Sequence, residues 1–248
     1  MTLTVHQFAC LSDNYGFLVR DDATGKAAVI DTPDADAILA ELSRLGWTLD
    51  LVLNTHWHPD HAGGNAAIKA ATGATIVGPA EVTRIAPLDR TVGDGDVVDL
   101  GETRFTMIDT GGHTLGHVAY HDAADAIAFV GDTLFALGCG RLFEGTAEQM
   151  WTSLARLTAL PDATTVYCAH EYTASNARFA LSVDDDPGLR ARAEQIFAAR
   201  ERGEPTVPTA IGLEKATNPF LRAPLLRPDL APAEAFAAIR AAKDGFKG

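Results

Sequence analysis

Three histidines and an aspartate crowd into six positions of this chain, His56, His58, Asp60 and His61, within Thr55-His56-Trp57-His58-Pro59-Asp60-His61. They follow directly on a buried-strand pattern at residues 51–54, so the segment reads as a loop at the carboxyl end of a strand. In an extended or tightly turned segment, side chains at i and i+2 point the same way. His56 and His58 therefore reach one centre, while Asp60 and His61, past a turn at Pro59, reach a neighbouring one. Imidazole and carboxylate donors without thiolate are the ligand set of a catalytic Zn, Mn or Fe site. Gly63 and Gly64, just behind, let backbone approach the loop closely. The P-loop, EF-hand and dinucleotide-binding patterns are absent, as is GxSxG.

Composition describes the body that carries this loop. Of 248 residues, 20 are Lys or Arg and 33 Asp or Glu, a net charge of −13, and 47% are hydrophobic. This is ordinary globular composition and excludes a wholly disordered chain. The length allows one large domain, or a large one with a smaller partner. A pI near 4.9 argues against binding nucleic-acid backbones or anionic membranes, which need a basic field. An anionic small molecule would require the few cations to converge locally. No apolar run approaches the roughly 20 residues of a membrane span, and the first fifteen residues lack the basic and apolar stretches of an export signal. Cys10, Cys139 and Cys168 are widely spaced with no CxxC pair. They read as reduced, buried thiols of a cytoplasmic protein rather than a disulfide framework.

Strands are expected at residues 2–8, 16–20, 27–31, 51–54, 75–77, 96–99, 104–109, 118–120, 126–130 and 164–168. A helix fits residues 35–45, with Ile38, Leu42 and Leu45 on one face, Asp34 or Asp36 as its cap and Gly46 as its stop. Another fits 64–72. Thr146 and Gln149 form a capping-box signature opening a third, which carries Met150, Leu154 and Leu157 and stops before Pro161. The interleaving predicts sheets covered by helices. After about residue 173 the pattern changes to helix candidates at 189–202 and 232–243, joined by a Pro-punctuated stretch at 203–228, with no clean strand. Two domains are expected, 1–172 and a mostly helical 173–248.

HxHxDH following a strand resembles the signature of the metallo-β-lactamase superfamily of hydrolases. The resemblance implies an α/β fold, an αββα sandwich, and further ligands in chain order. These are His113 in Thr110-Gly111-Gly112-His113-Thr114-Leu115-Gly116-His117, Asp132 in Val130-Gly131-Asp132-Thr133-Leu134-Phe135, and His170 in Cys168-Ala169-His170-Glu171-Tyr172. It further implies two divalent metal ions, Zn first with Fe or Mn as alternatives. His56, His58 and His113 would hold one; Asp60, His61 and His170 the other; Asp132 would bridge. Asp60 and Asp132 would be catalytic as well as ligating. A hydroxide shared by two dications exists at neutral pH. His117 is expected to be structural rather than placed behind a ligand, as are His6 and His121. Asp31 and Asp109 both end a β-like run and are equal candidates to orient a ligand imidazole.

Five further segments, in order along essentially the whole chain, are similar to the glyoxalase II family, the hydroxyacylglutathione hydrolases. They are Leu11-Ser12-Asp13-Asn14-Tyr15-Gly16-Phe17-Leu18, Cys139-Gly140-Arg141-Leu142-Phe143-Glu144-Gly145, Cys168-Ala169-His170-Glu171-Tyr172, Asn218-Pro219-Phe220-Leu221-Arg222, and Arg240-Ala241-Ala242-Lys243-Asp244-Gly245-Phe246-Lys247. The likeness implies a smaller C-terminal helical domain and a glutathione portion held by Arg141, Tyr172, Arg240 and Lys243. Arg240 and Lys243, three apart on a predicted helix, share a face, and Arg offers carboxylates a planar fork. Two cations near a helix C-terminus would otherwise just complement its dipole.

The implied activity is hydrolysis of S-D-lactoylglutathione, or a close 2-hydroxyacyl thioester, to the hydroxy acid and glutathione by a metal-bridging hydroxide. This is the second step of methylglyoxal detoxification, here expected of a cytoplasmic monomer with neither nucleic-acid nor membrane partner. No Ser, Cys or Lys nucleophile is required, and Cys139 and Cys168 are expected to be dispensable. Three positions depart from the family pattern. Gly112 stands where Pro is common and suggests a more flexible loop; Phe143 lacks a hydroxyl often found there; Arg141 keeps the charge of Lys with a different reach. The alternatives are a one-iron persulfide dioxygenase, a lactonase or β-lactamase, and a non-catalytic metal-binding module. The second ligand set disfavours the dioxygenase and the basic C-terminal helix the lactonase or lactamase; the module would bind a lactoylglutathione analogue without hydrolysing it.

Overall fold

Short runs rich in Val, Leu and Ile in the N-terminal third, several buried almost throughout, pair into one six-stranded sheet. Residues 2–248 are described by the computed structural model, and they divide into two compact units. The first runs to Asp109 and includes Thr114–Gly131; the second joins Thr110–His113 to Asp132–Gly248.

In the first unit, β1 (Leu3–Cys10), β2 (Asn14–Asp21), β3 (Ala27–Ile30), β4 (Leu49–Leu53), β5 (Thr75–Gly78) and β6 (Arg90–Thr91) lie in chain order. Pairing is antiparallel from β1 to β3 and parallel from β3 to β6. The parallel half needs crossovers, and α1 (Ala35–Leu45), α2 (Pro59–Ala62) and α3 (Asn65–Thr72) lie in them. Asp34, rather than Asp36, caps α1 by accepting from the Ala37 N–H, and Gly46 ends it in the left-handed conformation. Ile38 and Leu42 of α1 pack on Leu18, Val29, Val52, Ile68 and Ile76, each worth roughly 1.5–3 kcal/mol of burial. Leu45 is only partly buried there. β7 (Val97–Leu100), β8 (Thr103–Asp109), β9 (Val118–Asp122) and β10 (Ile127–Gly131) form an antiparallel run in the same unit.

The second unit opens with a small hairpin, β11 (Leu134–Phe135) and β12 (Gly138–Cys139), which was not expected. Next comes α4 (Ala147–Thr158), where Thr146 and Gln149 complete the capping box and Met150, Leu154 and Leu157 are buried. β13 (Thr165–Cys168) pairs with the two-residue β14 (Thr209–Ala210), a strand too short to alternate and therefore silent in the sequence. Around them lie α5 (Thr173–Val183), α6 (Pro187–Glu201), α7 (Ile211–Thr217), α8 (Ala223–Leu226) and α9 (Pro232–Asp244). The helix expected at 189–202 is α6, begun two residues earlier by Asp186 as cap and Pro187 at its first position. Ala177 and Ala180 of α5 pack on Leu189, Ala193 and Ile196 of α6. α5 has no side-chain cap at Tyr172, which explains its absence from the expectation. α7 and α8 interrupt the Pro-punctuated stretch. None of the described helices is long and apolar enough to cross a membrane.

Asp21, fully buried at the end of β2, ties the two sheet segments of the first unit. One oxygen accepts from the N–H and hydroxyl of Thr24, the other from the N–H and hydroxyl of Thr103. Burial alone would raise its pKa, but these four bonds outweigh it and bring the pKa down to about 2. A depressed carboxylate contributes stability above its unfolded pKa that is lost as pH falls through the folded one. Asp21→Ala is expected to cost about 2–4 kcal/mol at pH 7. In urea unfolding, its deficit relative to the parent should shrink as pH falls from about 5 to 2. A deficit constant over that range would refute the assignment.

Candidate metal centre and ligand cavity

β4 delivers the chain into Asn54 and Thr55, both fully buried, and then into His56. Backbone and side chains then fix the loop. The His61 carbonyl accepts from the Thr32 N–H at 2.7 Å and from Asn54 Nδ2 at 3.0 Å, and the Tyr120 hydroxyl donates to the Asn54 carbonyl at 2.7 Å. Pro59 starts the one-turn helix α2 rather than a simple turn, so Asp60 and His61 project from helical backbone. A Cβ on Gly64 would meet the Thr32 carbonyl oxygen at 2.7 Å, which makes this glycine obligatory.

The imidazoles have assigned proton positions. Asp31, buried and at φ +59°, accepts from the Thr55 N–H and hydroxyl and lies 2.8 Å from His61 Nδ1. The Nδ1 proton of His61 is therefore held by carboxylate, leaving Nε2 basic. Because the Thr55 hydroxyl gives its hydrogen to Asp31, its oxygen accepts from His56 Nδ1 at 3.0 Å, and His56 Nε2 is basic as well. That Nε2 lies 3.0 Å from His58 Nδ1, close to the roughly 3.3 Å edge spanned by two nitrogens at ~2.0 Å from one ion. Asp60 places Oδ2 3.6 Å from His61 Nε2 and is steadied by Asn14 Nδ2. Of the two aspartates the sequence left equal, Asp31 orients the candidate ligand His61; Asp109 is exposed and its own N–H bonds Asp94. His117 stacks on His56 with ring centroids 4.8 Å apart, a packing role that also backs a candidate ligand. His6 pairs with Glu41, and His121 lies on β9.

The second unit carries a matching set. His113 Nδ1 donates to the Arg141 carbonyl at 2.9 Å, so its Nε2 is basic too. Asp132 sends one oxygen to 3.4 Å from His113 Nε2 and the other to 3.4 Å from His170 Nε2. Serving two imidazoles with two oxygens is the disposition expected of a bridging carboxylate. The Gly112 loop is not loose. Gly112 sits at φ +145°, where proline's ring cannot go, and a Cβ would lie 2.8 Å from the Met150 Cβ. Ser153 donates to the Gly111 carbonyl and the Gly145 N–H to the Gly112 carbonyl. The flexibility expected from Gly112 is thus corrected: the glycine allows a tight path under α4.

Beside this set lies a cavity of about 420 Å³, within the range of small-molecule sites. Its walls bring together Arg141, Tyr172, Arg240 and Lys243 with His113 and Asp132. Ser175 and Asn176 of α5 also line it and were missed in the sequence; their one signal was helical spacing from Tyr172, whose carbonyl accepts the Asn176 N–H. Tyr172 stacks flat on His170 at 4.6 Å, and Phe143, 61% exposed, meets the His113 ring edge-on. Arg240 donates to the Cys139 carbonyl and to Asp244, and Lys243 to the carbonyl and hydroxyl of Ser175. Burial, and then the charges of Arg240, Arg141 and Arg178 against the opposing Asp244, push the Lys243 ammonium down to about 8. Burial raises the Cys139 thiol to about 11 in spite of Arg240, and Cys10 and Cys168 to about 12. At neutral pH none of them is a nucleophile.

Comparison with known proteins agrees with this chemistry. Residues 13–170 match the family profile described as metallo-beta-lactamase superfamily, and residues 171–246 the profile described as hydroxyacylglutathione hydrolase C-terminus. A hydroxyacylglutathione hydrolase of Erythrobacter litoralis is 56% identical over 98% of this chain and 100% of its own. The chain belongs to the hydroxyacylglutathione hydrolase family. Its fold is accordingly the metallo-β-lactamase fold with a C-terminal helical part, and members of this family are metal-dependent hydrolases. Among solved structures, ETHE1 from Myxococcus xanthus is similar at 30% identity and TM-score 0.72, covering 96% of this chain and 90% of that one. TTHA1623 in a di-iron-bound form is similar at 25% identity and TM-score 0.64, covering 88% and 100%.

If Asp31 sets the imidazoles of two ligands, Asp31→Ala should weaken metal binding by about 10–100-fold, measured by chelator competition and by metal per chain. Wild-type affinity in a folded Asp31→Ala protein would dismiss that role.

Proposed function

We propose that this chain hydrolyses S-D-lactoylglutathione to D-lactate and glutathione, the second step of methylglyoxal detoxification. One observation carries the reading. In a chain of net charge −13, Arg141, Arg240 and Lys243 converge with Tyr172 on a cavity that also contains His113 and Asp132. A glutathione thioester has carboxylates at both ends, and such a cluster offers them charge and hydrogen bonds beside ligating groups. The name of the Erythrobacter relative supports the substrate class.

The donor set suits divalent metal, and we read it as a site for two ions, Zn first, with Fe or Mn accepted by the same donors. His56, His58 and His113 would hold one, and Asp60, His61 and His170 the other, with Asp132 shared. The similarity to TTHA1623, named as di-iron-bound, supports that count. When bound, such a pair supplies a water acidified to near neutral pH and a Lewis acid for the thioester carbonyl. Asp60 and Asp132, as carboxylates of that set, would fix where the carbonyl reacts.

The protein's own groups do the rest. Arg141, Arg240 and Lys243 bind carboxylate, the Tyr172 ring offers a face, and the Nδ1 protons of His56, His61 and His113 stay on protein acceptors. A departing glutathione thiolate, with a pKa of roughly 8.5–9, needs no general acid. Residues 1–172 would carry the chemistry and 173–248 most of the grip. Three free, buried cysteines fit a reducing compartment, and we read the working form as a cytoplasmic monomer whose partner is this small molecule, not nucleic acid or membrane.

Steady-state assays over several glutathione thioesters, with metal measured on the same sample, are expected to show turnover that tracks metal content. Asp132→Ala should lose metal and more than about 100-fold in activity. A stoichiometrically loaded, fully active Asp132→Ala enzyme would remove the shared-ligand role, and metal-replete protein without turnover would remove the activity. Because burial and neighbouring cations bring the Lys243 ammonium down to about 8, kcat/KM for the anionic thioester should fall as pH rises through that value. Lys243→Arg should carry the fall to higher pH, and an unmoved profile would exclude Lys243 from binding.

A further inference from the structure

The segment Asn218-Pro219-Phe220-Leu221-Arg222 supplies no ligand and does not line the cavity, yet Asn218 and Phe220 are fully buried. We propose that this segment is the clamp that sets the position of Arg240, with Asn218 and Phe220 as positioning residues for recognition of the glutathione portion. The inference rests on the substrate reading above and deepens it.

Two grips hold the Arg240 guanidinium from outside its own helix, and both lead back to this segment. The first is a hydrogen bond from Nη1 to the Cys139 carbonyl at 3.1 Å. That carbonyl stands at the end of β12, so its place depends on the β11–β12 turn. The turn needs support, because Leu137 at its centre has φ +55°, an uncommon conformation for a residue other than glycine that persists where the surroundings over-determine it. Buried side chains supply that support. Asn218 Nδ2 donates to the Phe135 and Gly138 carbonyls at 3.2 and 3.0 Å, and Glu214 accepts the Leu137 N–H at 2.9 Å. Asn218 Nδ2 also lies 2.9 Å from Glu214 Oε2, and Arg192 pairs with the same carboxylate group, so the anchor is itself anchored. The second grip is the Phe220 ring, whose centroid lies 4.9 Å from the Arg240 guanidinium carbon. The Phe220 N–H donates to Asn218 Oδ1 at 3.0 Å, so one amide holds the turn with its nitrogen and the ring's backbone with its oxygen. Arg222, bonded to Asp184 at 2.8 Å, pins the far end.

A long arginine left without its carbonyl and its ring must be ordered by the substrate, which weakens binding by about tenfold for one such side chain. The test compares metal-loaded wild type, Asn218→Ala and Phe220→Leu. The readouts are the dissociation constant of S-methylglutathione by calorimetry, KM and kcat for S-D-lactoylglutathione, and kcat/KM for S-lactoyl-N-acetylcysteamine, which lacks the carboxylates. The clamp predicts that S-methylglutathione dissociation constant and lactoylglutathione KM rise about tenfold in Asn218→Ala and about threefold in Phe220→Leu. At equal metal content, kcat/KM for the truncated thioester should stay within about twofold. Parallel loss on both thioesters with an unchanged dissociation constant would mark a merely structural role and overturn the proposal, as would no change at all. If Asn218→Ala does not fold, Phe220→Leu decides. Wild type that binds S-methylglutathione but hydrolyses neither thioester would refute the activity while the dissociation constants still judge the clamp; wild type that does not bind it would refute the clamp.

Discussion

The carboxylate of Asp31 is the interaction on which the histidine loop depends. Placed by an uncommon left-handed backbone at the end of β3, it takes hydrogen from Thr55 twice and from His61 once, and through the Thr55 hydroxyl it governs His56. One strained residue therefore dictates which nitrogen is basic on two imidazoles. Asn54, Thr32 and Tyr120 fix the backbone around them. Hydrogen bonds within the protein thus fix the loop and its imidazoles, which is the support a binding centre needs from the residues behind its ligands.

The second unit applies the same logic to charge. A strongly acidic chain gathers guanidinium and ammonium groups around one cavity, where burial first and then their mutual repulsion lower the affinity of Lys243 for its proton. Protein acceptors occupy part of two of these cations: a carbonyl and Asp244 on Arg240, Ser175 on Lys243. The cluster is steadied without being neutralised, which leaves it receptive to an anion.

Much of this was legible in the sequence, for identifiable reasons. His56, His58, Asp60 and His61 are close in the chain, and a strand followed by glycines fixes their direction. Arg240 and Lys243 share a face because a regular helix carries both. What stayed hidden depends on backbone angles or distant partners. Asp31 and Asp109 look alike as strand-ending aspartates until one is found buried against Thr55 and the other exposed. Gly112 suggested looseness because composition reports freedom and not the path taken; the path beneath Met150 is close-packed. Ser175 and Asn176 escaped because α5 begins without a capping side chain, and Asn218 because its partners stand some eighty residues upstream.

The buried thiol of Cys139 has a consequence for the wall it forms. A cavity that, on the function proposed, receives a thioester would expose any neighbouring cysteinate to acyl transfer, the acyl group passing to the cysteine sulfur as glutathione leaves as the thiol. Burial holds the Cys139 thiol up to about 11, so it keeps its proton at neutral pH. A protonated thiol offers no nucleophile to a passing acyl group, so Cys139 can line the cavity without being acylated.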